Sequence, residues 1–148
     1  MFKSQPILIV EDEPIIGHSL ADAVVEMGGE PIGPFATVKE ATDAIACVRV
    51  SGAILDAKLL DGEVTPVALQ LADRAVPMVV HSGTGIPAEV AQQWPQIPLI
   101  CKPAPARVVV ESLCVAMAEA IAMQRSSQSL ACHRGDEEEP SSTDFNSG

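Results

Sequence analysis

Short apolar runs along this chain alternate with stretches in which apolar residues recur every three or four positions. The runs have the length and composition of buried strands and lie at residues 7–10, 31–32, 53–55, 78–81 and 99–101. Helical periodicity predicts helices at about residues 14–27, 37–48, 65–74, 87–93 and 105–123. Five strands alternating with five helices predict a doubly wound α/β domain with a parallel sheet.

Polar residues stand at the ends of four of these predicted strands. Glu11 and Asp12 follow the first strand, Asp56 the third, Ser82 the fourth and Lys102 the fifth. The strand order 2-1-3-4-5 is common in such sheets and places the first and third strands side by side at the topological switch point. Ligands bind there, outside the carboxyl ends of the strands. We therefore expect three carboxylates, a hydroxyl and an ammonium to meet at one edge.

This combination of groups suits a divalent cation and a phosphoryl group. Magnesium prefers oxygen ligands and is usually held by one or two carboxylates together with phosphate oxygens. Carboxylates a few ångströms apart repel one another unless a cation lies between them. A carboxylate such as Asp56 can also act as a nucleophile and form an aspartyl phosphate. Lys102 and Ser82 can then bind the phosphoryl oxygens.

Composition limits the remaining alternatives. The 148 residues predict one domain, residues 1–123, followed by an acidic, Ser-rich tail, residues 124–148, that we expect to be disordered. A net charge of −11 argues against nucleic acid as a partner. No apolar run is long enough to cross a membrane and no signal peptide precedes the first strand, so we expect a cytoplasmic protein. The sequence contains no Cys-x-x-Cys pair, the pattern that would indicate a zinc site.

In these residues the chain resembles the receiver domains of two-component response regulators, over about residues 5–123. The matching residues are Glu11-Asp12, Asp56, Ser82 and Lys102-Pro103. The resemblance implies a flavodoxin-like (CheY-like) three-layer fold and a single-domain response regulator. It also implies that a histidine kinase or phosphotransfer protein donates a phosphoryl group to the protein, which catalyses only its own phosphorylation and dephosphorylation.

The resemblance also implies the ligands of a Mg²⁺ ion and the course of switching. Asp12 and Asp56 would bind the ion directly, Glu11 through water, and Lys58 through its main-chain carbonyl. The Ser82 hydroxyl would move towards the phosphoryl group and draw the following loop with it. A segment at residues 77–84 further resembles a subgroup of alphaproteobacterial receivers with the pattern Pro-Phe-x-Phe-Ala-Thr-Gly-Tyr, although its aromatic residues are replaced here.

One departure from the family leaves the output open. The aromatic residue usual three positions before the lysine is Leu99 here. Output is expected through protein contact at the face of the fourth helix, fifth strand and fifth helix, with an unidentified partner, and a homodimer stays an alternative. A degenerate receiver that binds proteins independently of phosphorylation is a second hypothesis. An aspartyl-nucleophile phosphatase is a third, disfavoured because Lys58 stands where such enzymes carry an acid.

Overall fold

The computed structural model of the protein describes residues 2–136. Its strands are β1 Pro6–Val10, β2 Glu30–Phe35, β3 Gly52–Leu55, β4 Lys58–Leu59, β5 Gly62–Glu63, β6 Met78–Ser82 and β7 Leu99–Cys101. Its helices are α1 Pro14–Glu26, α2 Val38–Cys47, α3 Thr65–Asp73, α4 Ala88–Gln93 and α5 Ala106–Asp136.

Five strands form one parallel sheet in the order β2-β1-β3-β6-β7. The predicted fourth and fifth strands are β6 and β7, so the predicted doubly wound fold and its strand order are confirmed. In the register of the central pair, Val10 lies opposite Leu55. The next residues, Glu11 and Asp56, therefore leave the sheet side by side at the switch point.

The core has two layers, one on each face of the sheet. Leu8 and Val10 of β1 pack with buried residues of α2 and α3, whereas Ile7 and Ile9 pack with α1 and the first part of α5. Burial on both faces explains why the strands read as unbroken apolar runs rather than as alternating patterns.

The predicted start of α2 is confirmed. Thr37 is the N-cap, and its hydroxyl oxygen accepts a hydrogen bond from the Glu40 N–H at 3.0 Å. The Glu40 carboxylate accepts the Thr37 hydroxyl proton at 3.1 Å, whereas in a capping box it would accept the main-chain N–H of Thr37. This cap fixes the connection from β2 to α2, which borders the site described below.

Two elements differ from the prediction. The predicted loop after Asp56 contains a small antiparallel hairpin, β4–β5, whose two-residue strands are too short to show a period. The last helix does not end near residue 123 but continues to Asp136. The sequence beyond residue 123 loses its apolar period but contains neither glycine nor proline before Gly135, so the backbone can remain helical. Residues 137–148 of the predicted tail lie outside the described residues.

The described chain forms two compact units, one ending at Met117 and one beginning at Ala118. The first unit contains the whole sheet and every residue of the site below. Across residues 2–136, every helix is too short or too polar to cross a lipid bilayer.

Candidate functional site

Three carboxylates meet where β1 and β3 end. Glu11 and Asp56 are buried and Asp12 is partly exposed. One oxygen from each carboxylate can be chosen so that all three lie within 4.8 Å of one another. The sheet dictates this arrangement, because parallel neighbours β1 and β3 end in register and deliver their next residues to the same edge.

Lys102, the residue after β7, extends its amine into this cluster. Its Nζ lies 2.9 Å from Oε1 of Glu11 and donates hydrogen bonds to Oε2 of Glu11 at 3.2 Å and to Oδ2 of Asp56 at 3.0 Å. Glu13 contributes a more distant exposed carboxylate, 3.9 Å from Nζ. The ammonium thus neutralises part of the charge that the two buried acids bring to the site.

The burial of these groups changes their proton affinities. Burial raises the pKa of Glu11 to about 7, although hydrogen bonds from Lys102 and the Glu13 N–H work in the opposite direction. For Lys102, burial lowers the pKa, but the hydrogen bonds to Glu11 and Asp56 and the negative charges of these two residues together leave the pKa raised. Burial therefore keeps Glu11 partly protonated near pH 7, whereas Lys102 keeps its charge.

The donor set fits Mg²⁺. Mg²⁺ prefers hard oxygen ligands and retains several of its waters. The cluster offers three carboxylates that could hold one ion, and Asp12 among them is partly exposed. Burial raises the pKa of Glu11, and a divalent cation beside this carboxylate would favour its ionised form. The sequence prediction that Glu11, Asp12 and Asp56 come together is therefore met by the geometry.

The fourth residue of the predicted set, Ser82, ends β6 and is buried. Its main-chain carbonyl accepts the N–H of Lys102 at 3.1 Å, which places the two residues side by side. The Ser82 hydroxyl oxygen accepts the Thr84 N–H at 3.0 Å and lies 3.1 Å from the Thr84 hydroxyl. In this state the hydroxyl is therefore engaged with its own loop.

Two further residues border the site. Lys58 begins β4, two residues after Asp56, and its side chain is exposed. His81 is buried beside Ser82, and neither ring nitrogen has a hydrogen-bond partner in residues 2–136. Burial and the nearby Lys102 charge lower the pKa of His81, against a smaller opposing effect of Asp56, so the imidazole is neutral at pH 7.

Sequence reasoning missed one residue, Asp61. Its carboxylate accepts hydrogen bonds from the N–H groups of Val38 and Lys39, the first two residues of α2. The Asp61-Gly62 pair reads as an ordinary turn signal, and a contact that spans more than twenty residues leaves no local pattern.

The buried Glu11 predicts an unusual pH dependence of stability in the metal-free protein. Its pKa is about 7 in the folded chain, against an ordinary value of 4.5 that applies once the chain is unfolded. The stabilising contribution of Glu11 is therefore fully present below pH 4.5 and is lost as the pH rises to about 7. The loss is on the order of 3 kcal/mol in the free energy of unfolding. Urea unfolding between pH 4.5 and 8 measures this loss.

Glu11→Gln is the matched control for this pH series, because it keeps the side-chain shape but cannot ionise. The difference in unfolding free energy between wild type and variant should shift against wild type as the pH rises, and millimolar Mg²⁺ should reverse that shift. A pH-independent difference would show that Glu11 titrates normally.

Solved structures place this arrangement among known proteins. SdrG from Sphingomonas melonis Fr1 is 33% identical, with a TM-score of 0.66, over 80% of this chain and 99% of that one. The BeF3-activated conformation of SdrG from Pseudomonas melonis Fr1 is 35% identical, with a TM-score of 0.60, over 79% and 98%. A CheY-like response regulator receiver domain protein from Methanospirillum hungatei JF-1 is 22% identical, with a TM-score of 0.70, over 80% and 98%. No protein-family model and no curated protein matches the chain.

Proposed function

Since this chain belongs to the receiver domains of response regulators, we propose that it is a Mg²⁺-dependent signalling switch that accepts a phosphoryl group on Asp56. The observation that carries this proposal is the cluster of Glu11, Asp12 and Asp56 with the Lys102 amine between two of its members. The protein acts only on itself, by its own phosphorylation and dephosphorylation, and we expect it in the cytoplasm.

The residues of the cluster divide the transfer step among them. A carboxylate oxygen of Asp56 forms a bond to phosphorus while the bond from phosphorus to the donor breaks and the donor leaves with that electron pair. Lys102 lies 3.0 Å from Asp56 Oδ2 and is placed to balance negative charge that develops on the phosphoryl oxygens. Mg²⁺, held by Asp12, Asp56, the Lys58 carbonyl and, through water, Glu11, would supply the remaining positive charge.

A groove beside the cluster supports a protein as the phosphoryl donor. Its volume is about 430 Å³, and its lining combines Lys102 with apolar side chains of α1 and of the segment after β7. Ile15 forms part of this lining and is 83% exposed. An exposed apolar surface next to a phosphoryl acceptor suits a histidine kinase or phosphotransfer protein that must hold its phosphohistidine in line with Asp56.

The output partner is proposed to bind at the face formed by α4, β7 and α5. Leu99 on this edge strand and Val108 and Val115 on α5 are exposed apolar residues of that region. Output would occur through protein contact at this face, with an unidentified protein or a second copy of this chain as the partner.

Leu99 also favours one alternative function. The family couples the switch hydroxyl to an aromatic residue at this position, and a leucine cannot repeat that coupling. A phosphorylation-independent binding module would bind its partner equally well as wild type, as Asp56→Asn and as the beryllofluoride complex. Phosphorylation-dependent output predicts different affinities for these three forms.

Nuclear magnetic resonance tests whether the Ser82 hydroxyl switches. With Mg²⁺ and beryllofluoride, a phosphoryl mimic, the hydroxyl should leave the Thr84 N–H for the new acceptor on Asp56. The Thr84 amide proton should then shift upfield, because it loses a hydrogen bond of 3.0 Å. In Ser82→Ala this bond is absent from the start, so the shift should be absent. An unchanged Thr84 amide in saturated wild type would contradict switching through Ser82.

A further inference from the structure

The hairpin that follows Asp56 is attached to the start of α2. Asp61, in the turn between β4 and β5, accepts the Val38 N–H on Oδ1 at 2.7 Å and the Lys39 N–H on Oδ2 at 3.2 Å. The Leu60 N–H donates to the Ala36 carbonyl at 3.3 Å. Three hydrogen bonds thus join the turn of the hairpin to the β2–α2 connection.

The chemistry of this attachment requires a carboxylate. The first N–H groups of a helix have no partner within the helix, and negative charge is favourable there. Thr37 satisfies the Glu40 N–H, whereas Asp61 uses both of its oxygens to satisfy the two earlier donors. The bond from Val38, more than the one from Lys39, lowers the pKa of Asp61 and keeps it ionised.

Apart from these hydrogen bonds, the hairpin is held mainly by Leu59, which packs in the hydrophobic core. Of its residues 58–63, only Leu59 is buried, and Leu60 is 71% exposed. Gly62, whose φ of 140° favours glycine, has no side chain that could pack against its neighbours. The bonds of Asp61 to α2 are therefore the main tertiary contact of the outer end of this element within the described chain.

We propose that Asp61 is a positioning residue for the phosphorylation site: by fixing the hairpin to α2, it holds the Lys58 main-chain carbonyl where the cation needs its ligand. The inference rests on the proposed function, because it takes the carbonyl as a Mg²⁺ ligand. Mg²⁺ demands near-ideal octahedral geometry, so a ligand on a loosened loop binds less well. Residues that orient metal ligands contribute about 10-fold or more to metal affinity.

The test compares two variants that each remove one cap of α2. Asp61→Ala removes the bonds that also hold the hairpin, whereas Thr37→Ala removes only the two bonds to Glu40. We expect similar losses of thermal stability from both. Asp61→Ala should raise the dissociation constant for Mg²⁺ about 10-fold, measured by calorimetry, while Thr37→Ala leaves it unchanged. Asp61→Asn retains one acceptor oxygen and should fall between wild type and Asp61→Ala.

Amide hydrogen exchange supplies a readout without metal. In the metal-free protein, Asp61→Ala should accelerate exchange at residues 58–63, and Thr37→Ala should not. Coupling of binding sites is reciprocal, so Mg²⁺ should slow exchange of the Val38 N–H in wild type but not in Asp61→Ala.

The outcomes separate the inference from the proposed function. Equal Mg²⁺ affinity and equal exchange in Asp61→Ala and Thr37→Ala would overturn the positioning role while leaving a Mg²⁺-binding wild type in place. A wild type that binds no Mg²⁺ at millimolar concentration would instead overturn the proposed function, and with it the inference.

Discussion

Asp56→Asn should abolish acceptance of a phosphoryl group while leaving the fold intact. The amide that replaces the carboxylate has no oxygen able to form a stable bond to phosphorus. Loss of a single transition-state donor costs about 100-fold in rate, and this change removes the bond-forming atom itself, so we expect a loss of at least that size. Incubation with Mg²⁺ and radiolabelled acetyl phosphate measures the rate of labelling.

Asp22→Asn is the matched control, because this substitution makes the same change of charge on α1, outside the carboxylate cluster. It should be labelled at the wild-type rate. Undiminished labelling of Asp56→Asn would place the acceptor elsewhere in the chain. Unfolding curves test whether the loss of labelling is due to unfolding of Asp56→Asn. This variant removes one of two neighbouring buried acids, so it should not be less stable than wild type at neutral pH.

Lys102→Met should destabilise the metal-free protein strongly at pH 8. The side chain is only 16% exposed and contacts Glu11 and Asp56, whose side chains are 1% and 9% exposed. Removal of the ammonium leaves two buried carboxylates without compensation, which typically costs about 3 kcal/mol or more. At pH 5 Glu11 is protonated, because its pKa of about 7 can only rise without Lys102, so the loss should be smaller. Urea unfolding at both pH values measures this difference.

Lys39→Met removes an exposed lysine, in contrast to the mostly buried Lys102, and serves as the comparison. Lys39 pairs with Asp43 at 3.1 Å on the surface of α2, with 81% and 68% of the side chains exposed. Exposed pairs contribute little, so we expect a loss below about 0.5 kcal/mol at either pH. Saturating Mg²⁺ should restore part of the stability of Lys102→Met but not change Lys39→Met. Equal losses in the two variants would show that Lys102 does not compensate the buried acids.

The sheet and the cluster were predictable because they depend on strand ends. Both faces of β1 and β3 are covered, so these strands read as apolar runs, and the first polar residue marks where each leaves the sheet. Strand order then brings Glu11, Asp12 and Asp56 together without any information on side-chain contacts. Lys102 follows from the same logic at the end of β7.

Contacts between distant loops were not predictable in this way. Asp61 reaches α2 across 23 and 22 residues of chain, and nothing in the local sequence selects those partners. The length of α5 depends on backbone propensity rather than on burial, so the end of the apolar pattern at residue 123 was a poor guide. The raised pKa of Glu11 requires its depth of burial, which only the folded chain defines.

Localisation of the phosphoryl group is the most direct test of the site as a whole. After incubation of wild type with Mg²⁺ and acetyl phosphate, borohydride reduction converts an aspartyl phosphate into homoserine, which peptide mass spectrometry assigns to a position. We expect homoserine at position 56 alone, and none when Mg²⁺ is replaced by a chelator. Homoserine at another position, or equal modification without Mg²⁺, would contradict the proposed role of this carboxylate cluster.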